Sequence, residues 1–118
     1  MKYGELLVWQ KAMDLVATVY GLAKSFPADE KFGLTAQMQR AAVSIPANIA
    51  EGHGRKSTKA YLNHVSIANA SLMELETLLQ IAARLEYLEN RQLLEVLTRT
   101  NEIGKMLSGL TRSLNPQS

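Results

Sequence analysis

The chain has 118 residues, 47% of them hydrophobic and 20% charged, which suffices for a single domain over residues 1–118 with one apolar core. It has no cysteine, which excludes disulfide frameworks, thiolate metal sites and cysteine nucleophiles. The formal net charge of +2 permits an anionic partner without establishing one. No apolar stretch approaches the roughly 18 residues of a membrane helix, so we expect a cytoplasmic protein with no membrane partner.

The first of four helical segments is apolar over much of its circumference. One apolar row consists of Trp9, Ala12, Met13, Val16, Tyr20 and Ala23, and a second row beside it consists of Val8, Leu15, Val19, Leu22 and Phe26. We therefore expect this helix to contact more than one neighbour. The four segments are separated by polar or glycine-rich stretches and are predicted at about residues 5–24, 29–51, 58–86 and 90–114.

The second segment contains a proline within its helical pattern. Asp29 and Glu30 stand where carboxylates favour a helix N-terminus. Pro46 cannot donate to the carbonyl of Ala42, so we expect a bend at this point rather than a break. Gly52 is expected just past the helix end, in a left-handed conformation.

The third and fourth segments each carry a heptad seam. Ser57 or Thr58 is the expected N-cap of the third, and Gly104 and Gly109 in the fourth are expected where a neighbouring backbone comes close. With short connections, the four segments predict an all-α, antiparallel, up-down-up-down four-helix bundle with a left-handed supercoil. The seams are Tyr61, Val65, Ala68, Leu72, Leu75, Leu79 and Ala82, and Leu93, Val96, Thr100, Ile103, Leu107, Leu110 and Leu114.

Catalytic and metal-binding patterns are weak in this sequence. Helical bundles often hold metals on Glu-x-x-His spacings, but neither His53 nor His64 has a glutamate three residues before it. Gly52-His53-Gly54 follows a helix rather than a strand, which favours a helix-terminating turn over a phosphate-binding loop. We therefore expect no enzyme activity, no metal and no cofactor.

A polar row runs along one face of the second segment, and three interpretations of it stay open. It is a solvated face, or it carries catalysis, or its last members hydrogen-bond backbone groups that Pro46 leaves free or cap a neighbouring helix. The row consists of Gln37, Arg40, Ser44, Asn48 and Glu51.

A basic loop follows. Residues 52–73 contain Arg55, Lys56 and Lys59 and no carboxylate, so this stretch alone carries +3. Lys59 stands one turn after Lys56 at a predicted helix N-terminus, where backbone amides also favour anions. One interpretation is contact with nucleic-acid phosphates, and the other is a solvated connection.

The third segment carries a further apolar stripe beside its seam. It is wider than a monomeric bundle should leave exposed and therefore predicts an interface between copies of the chain. Trp9, by contrast, lies on an apolar face, which favours a core position over a platform for stacking bases. The stripe consists of Leu78, Ile81, Leu85 and Leu88.

The run Ser-Ile-Pro-Ala-Asn-Ile-Ala-Glu-Gly at residues 44–52 is the most specific motif of the chain. Together with residues 8–12, 26–27, 33–37, 40–43 and 71–76, it resembles the four-helix-bundle family encoded in intervening sequences of large-subunit ribosomal RNA genes. Related accessory proteins of diversity-generating retroelements are homopentamers that bind nucleic acid together with a reverse transcriptase. The resemblance thus implies a homopentamer with RNA or DNA, and a nucleic-acid-processing protein, as partners.

Residues and resemblance together predict a non-enzymatic homo-oligomer that binds RNA or DNA through repeated basic loops without reading sequence. The alternative is a structural adaptor that scaffolds a protein partner, with the basic loop merely solvated.

Overall fold

A computed structural model describes residues 1–115 and shows four α-helices, with no strand in that range. One-turn 3₁₀ helices, Tyr3–Glu5 and Ala28–Glu30, precede the first and second of them. The predicted all-α four-helix bundle is confirmed. The helices are α1 (Leu7–Ala23), α2 (Leu34–His53), α3 (Thr58–Arg84) and α4 (Asn90–Leu114).

Each helix packs against the next one in the chain, and α4 returns to pack against α1, in a body of 45 × 23 × 21 Å. At one end, the carbonyl of Met1 accepts a hydrogen bond from His53 Nε2 at 2.7 Å. At the other end, the Tyr87 hydroxyl donates to Glu30 Oε2 at 3.0 Å. The α2–α3 connection therefore lies at the same end of the bundle as the N-terminus of α1 and the C-terminus of α4.

Both heptad seams face the core, with every member buried or half-buried. The one polar seam residue, Thr100, is completely buried, and its hydroxyl donates to Glu76 Oε2 at 2.7 Å. Among residues 1–115, no helix is long and apolar enough to cross a membrane.

The core face of α1 differs in part from the prediction. Val8, Leu15 and Val19 of the second row are buried. In the first row Ala12 and Ala23 are buried, whereas Met13 and Tyr20 are exposed. The physical reason is that α1 contacts only α2 and α4 among the α-helices, so part of its apolar circumference has no helix against it. The expectation that α1 has more than one neighbour is confirmed.

The start of α2 lies at Leu34, five residues later than predicted, because Asp29 and Glu30 form a separate 3₁₀ turn. Gly33 then adopts φ −106° and ψ −113°, which is not helical. Glu30 Oε1 accepts a hydrogen bond from the N–H of Leu34 at 3.1 Å. The carboxylate thus stabilises the N-terminus of α2 from outside the helix.

The end of α2 also differs from the prediction. The helix passes through Pro46 without interruption and includes Gly52 and His53, and Gly54 caps it at φ −82°, outside the left-handed region. The predicted bend at Pro46 and the handedness of the supercoil stay predictions. The close approach of a neighbouring backbone that was expected at Gly104 and Gly109 is absent, because an added Cβ would meet only side-chain atoms at an ordinary 3.5 Å and 3.8 Å. A close approach between helices occurs instead at Gly52.

Candidate functional site at the α2–α3 junction

The three cations of the basic loop are all exposed to solvent. Arg55 and Lys56 lie in the connection between α2 and α3, and Lys59 lies in the first turn of α3. Ser57 is the N-cap, and its Oγ accepts a hydrogen bond from the N–H of Ala60 at 3.1 Å. No described carboxylate lies within the 4.0 Å of an ion pair from these three cations. Their charge is therefore not neutralised locally.

The topology of the bundle concentrates further positive charge at this end. Within residues 1–115, the helix termini and loops of this end carry five cations and two carboxylates, whereas those of the opposite end carry four of each. The charge is therefore distributed unevenly along the bundle axis, with an excess of positive charge at the end of the α2–α3 connection, although the net charge of the chain is small. At this end lie Lys2, Arg55, Lys56, Lys59 and Arg112 with Glu5 and Glu51, and at the other Lys24, Lys31, Arg84 and Arg91 with Asp29, Glu30, Glu86 and Glu89.

A continuous chain of hydrogen bonds, here called the polar chain, leads from the α2–α3 interface to the basic loop. The Ser71 hydroxyl donates to Ser44 Oγ at 2.8 Å, and Asn48 Nδ2 donates to the same oxygen at 3.0 Å. His64 Nδ1 lies 3.0 Å from Asn48 Oδ1. Finally, Arg55 Nε donates to His64 Nε2 at 3.3 Å. The polar chain thus joins a buried serine to an exposed guanidinium.

The hydrogen-bond partners determine the protonation state of His64 in this arrangement. An arginine can only donate, so His64 Nε2 must accept and carries no proton. The proton is therefore on Nδ1, which donates to Asn48 Oδ1. A doubly protonated imidazole would have no acceptor for Arg55.

The absence of a side chain at Gly52 allows α2 and α3 to approach each other closely where the polar chain crosses between them. A Cβ at Gly52 would lie 2.7 Å from His64 Cβ, closer than real Cβ atoms approach other heavy atoms, and 3.1 Å from Tyr61 Cδ1, which is also tight. The missing side chain lets α3 bring His64 against α2.

A second histidine contact fastens the start of the chain to the same end. The His53 ring lies between the carbonyl of Met1, 2.7 Å from Nε2, and the Tyr61 hydroxyl, 3.0 Å from Nδ1. Since the carbonyl only accepts, Nε2 of His53 is the donor there. Partial burial raises the pKa of Tyr61 above its ordinary value, so this hydroxyl stays protonated near neutral pH.

Comparison with known proteins identifies the family. Residues 4–109 match the family described as 23S rRNA-intervening sequence protein. The chain belongs to the 23S rRNA-intervening sequence protein family. A solved structure from the S23 ribosomal protein family of Bacteroides thetaiotaomicron VPI-5482, a protein of unknown function, is similar at a TM-score of 0.83 and 27% identity, over 89% of this chain and 98% of that one. No curated protein matches the chain.

The polar row of α2 does not act as one unit. Ser44 and Asn48 are half-buried and belong to the polar chain, whereas Gln37, Arg40 and Glu51 lie outside it, and Glu51 is exposed. Asn48 donates to the Ser44 carbonyl at 2.9 Å, not to the carbonyl of Ala42 that Pro46 leaves without its helical donor. The row is therefore split between an interhelical network and side chains that take no part in it.

Only two of the four residues of the predicted oligomer stripe are exposed in the structure. Ile81 and Leu85 are 41% and 49% exposed, but Leu78 and Leu88 are only 7% and 5% exposed and belong to the core. Leu78 is buried because α3 packs against both α2 and α4, so its buried face is wider than one seam. Leu88 lies beyond the end of α3, where Glu86 at φ 65° turns the chain, and the leucine packs into the core.

Sequence reasoning missed the partners that α3 contributes to the polar chain. Ser57, His64 and Ser71 stand at intervals of seven residues, so they share one face of α3. His64 and Ser71 of that polar repeat lie opposite the Ser44 and Asn48 pair of α2 in the structure. Their spacing was the available signal, but periodicity alone does not tell which residues of two helices meet.

Proposed function

We propose that this protein is a non-enzymatic, cytoplasmic homo-oligomer that binds the phosphate backbone of RNA or DNA without reading base sequence. The observation that carries the proposal is the exposed group of Arg55, Lys56 and Lys59, which no described carboxylate neutralises. Lysine and arginine side chains that neutralise phosphates release condensed counterions, and this release drives sequence-independent binding.

Repetition by symmetry makes the small charge of one chain effective. Each copy contributes the +3 of residues 52–73, so a homopentamer of the kind that the family resemblance implies presents about +15. The exposure of both Ile81, in the last turn of α3, and Leu85, the C-cap of that helix, supports association between copies. Several weak loops on one particle then bind one nucleic acid with high avidity.

Sequence-independent contact is favoured over base recognition by what surrounds the cations. Trp9 is half-buried, and its ring already packs edge-on against Tyr3, with ring centroids 5.3 Å apart. The connection from Gly54 to Ser57 carries no aromatic ring on which an unpaired base could stack.

A titration of labelled RNA and DNA duplexes at about 50 and about 200 mM salt tests the proposal. The triple variant Arg55→Ala, Lys56→Ala and Lys59→Ala is expected to weaken binding. It should also reduce the slope of the logarithm of the binding constant against the logarithm of salt concentration, by about one for each phosphate contact that the substitutions remove.

The matched control removes the same charge from the opposite end of the bundle, through Lys24→Ala, Lys31→Ala and Arg91→Ala. This control variant should retain most of the affinity. Equal affinities of the loop variant and the original protein would exclude the basic loop as the binding site.

The alternative function, a structural adaptor for a protein partner, is favoured by other side chains of α3. Ile67 and Met73 are exposed in addition to Ile81 and Leu85, so several large apolar side chains of this region are accessible to a partner. A nucleic-acid-processing protein is the partner that the family resemblance implies. Stable co-purification of such a partner, with no measurable binding of either duplex, would support the adaptor function and refute nucleic-acid binding.

A further inference from the structure

Among the three loop cations, Arg55 differs from the two lysines in being held by the fold. Its backbone N–H donates to the carbonyl of Gly52 at 3.0 Å, and its Nε donates to His64 Nε2 at 3.3 Å. The side chains of Lys56 and Lys59 have no hydrogen bond or ion pair among the described residues. One cation of the loop is therefore oriented, and the other two are point charges on flexible stems.

The contact with His64 leaves the phosphate-binding part of the guanidinium available. A guanidinium has five N–H groups in one plane, and the bond to His64 uses only the one on Nε. The two terminal nitrogens keep four N–H groups in a planar fork, which matches two oxygens of a phosphate end-on. Arg55 as a whole is exposed, so a ligand can reach this fork.

Resting on the nucleic-acid binding proposed above, we propose that His64 is a positioning residue that orients Arg55 for end-on, bidentate contact with a backbone phosphate. His64 acts as a neutral imidazole with its proton on Nδ1. The polar chain through Asn48 and Ser44 to the buried Ser71 holds the ring in that tautomer and orientation.

Orientation of the guanidinium before binding raises affinity because the side chain loses less conformational freedom when the phosphate arrives. Ordering one long side chain at an interface changes affinity by roughly two- to tenfold. Loss of the positioning contact therefore weakens binding by that factor while the number of charges stays the same. Affinity and its salt dependence thus separate a positioning residue from a charge that contacts phosphate.

The first experiment measures the affinity of a labelled RNA duplex of mixed sequence for variants of His64. His64→Leu removes both ring contacts and should weaken binding roughly two- to tenfold, with the salt dependence unchanged. His64→Gln retains an acceptor for Arg55 and a donor for Asn48 and should restore most of the affinity. Far-UV circular dichroism is used to check that each variant is folded before its affinity is compared.

A second pair of variants tests the fork of the guanidinium. Arg55→Lys keeps the charge but removes Nε and the planar pair of terminal nitrogens, so it should weaken binding at least as much as His64→Leu. Lys56→Arg is the matched control and should leave affinity nearly unchanged, because it keeps the charge and the Lys56 side chain has no hydrogen bond or ion pair among the described residues.

The outcomes separate this inference from the proposed function. If Arg55→Ala weakens binding and folded His64→Leu does not, positioning by His64 is wrong and nucleic-acid binding stands. If His64→Gln binds as poorly as His64→Leu, the hydrogen bond to Arg55 is not the cause, and positioning is again overturned. If neither Arg55→Ala nor the triple loop variant weakens binding, the basic loop is not the binding site, and the proposal of binding through this loop fails together with the inference.

Nitrogen chemical shifts give an independent readout that a packing role would not predict. The chain has only two histidines, so two sets of imidazole signals are expected from protein labelled with ¹⁵N-histidine. His64 should show a protonated Nδ1 and an unprotonated Nε2, and His53 should show a protonated Nε2. A His64 ring with its proton on Nε2 would overturn the inference.

Discussion

Replacement of Gly52 by alanine tests the close helix contact on which the site depends. In an exposed helical position this substitution stabilises a protein by up to about 1 kcal/mol. At Gly52, however, the new Cβ would lie 2.7 Å from His64 Cβ and 3.3 Å from the Tyr61 carbonyl oxygen. Both neighbouring atoms are in or next to the α3 backbone, so the helix itself has to move. Overpacking of this kind costs about 1–3 kcal/mol.

We therefore expect Gly52→Ala to lower the free energy of unfolding by up to about 2 kcal/mol, since the steric cost outweighs the benefit in helix propensity. Urea unfolding followed by circular dichroism measures the change. All variants are compared at one protein concentration, because association between copies would add to apparent stability.

Gly21→Ala is the matched control, because Gly21 is an exposed glycine of α1 with nothing within 4 Å of its added Cβ. This variant should be more stable than the original protein by up to about 1 kcal/mol. If Gly52→Ala is as stable as Gly21→Ala, the two helices tolerate a side chain between them, and the steric argument for the site is refuted.

Two further predictions concern the opposite end of the bundle and the surface of α3. The hydrogen bond from Tyr87 to Glu30, with smaller contributions from partial burial and nearby negative charge, raises the pKa of Tyr87 above its ordinary 10.0. The folded state thus binds this proton more tightly, so its stabilisation is complete below pH 10 and is lost as pH rises through the higher folded pKa. Tyr87→Phe should abolish that part of the alkaline loss, and identical alkaline unfolding curves would contradict the assignment. Ile81→Glu with Leu85→Glu should yield a folded particle near the 13.0 kDa monomer mass by light scattering, whereas Leu7→Glu, at a comparably exposed leucine of α1, should not. A 13.0 kDa mass for the unaltered protein would refute the oligomer.

Much of the fold could be predicted because its signals are local. The seam of α3 repeats from Tyr61 to Ala82, and each member is buried or half-buried as predicted. Ser57, one of the two predicted N-caps, caps α3, since a serine before a helical run satisfies a free N–H within three residues. The start of α2 was predicted too early because carboxylates favour a helix N-terminus both from within the first turn and from just outside it, as Glu30 does here.

The candidate site could be predicted only in part. The exposure of Arg55, Lys56 and Lys59 followed from their place in a polar, glycine-containing connection. The bond between Arg55 and His64 could not be predicted, because it depends on how far α3 is rotated and shifted along α2. Residue spacing on one helix contains no information on that shift.

The amino-acid sequence alone determined the number of helices, most of the faces that they bury and the position of the basic loop. Each of these features depends on residues within one or two helical turns of each other. The concentration of positive charge at one end of a chain of net charge +2 arises only in the folded bundle, since antiparallel packing brings distant termini together. The same holds for the place of Gly52 inside α2 and for the burial of Leu78 and Leu88 in the core. These properties depend on the separation, rotation and axial register of neighbouring helices, which close packing of the whole bundle sets.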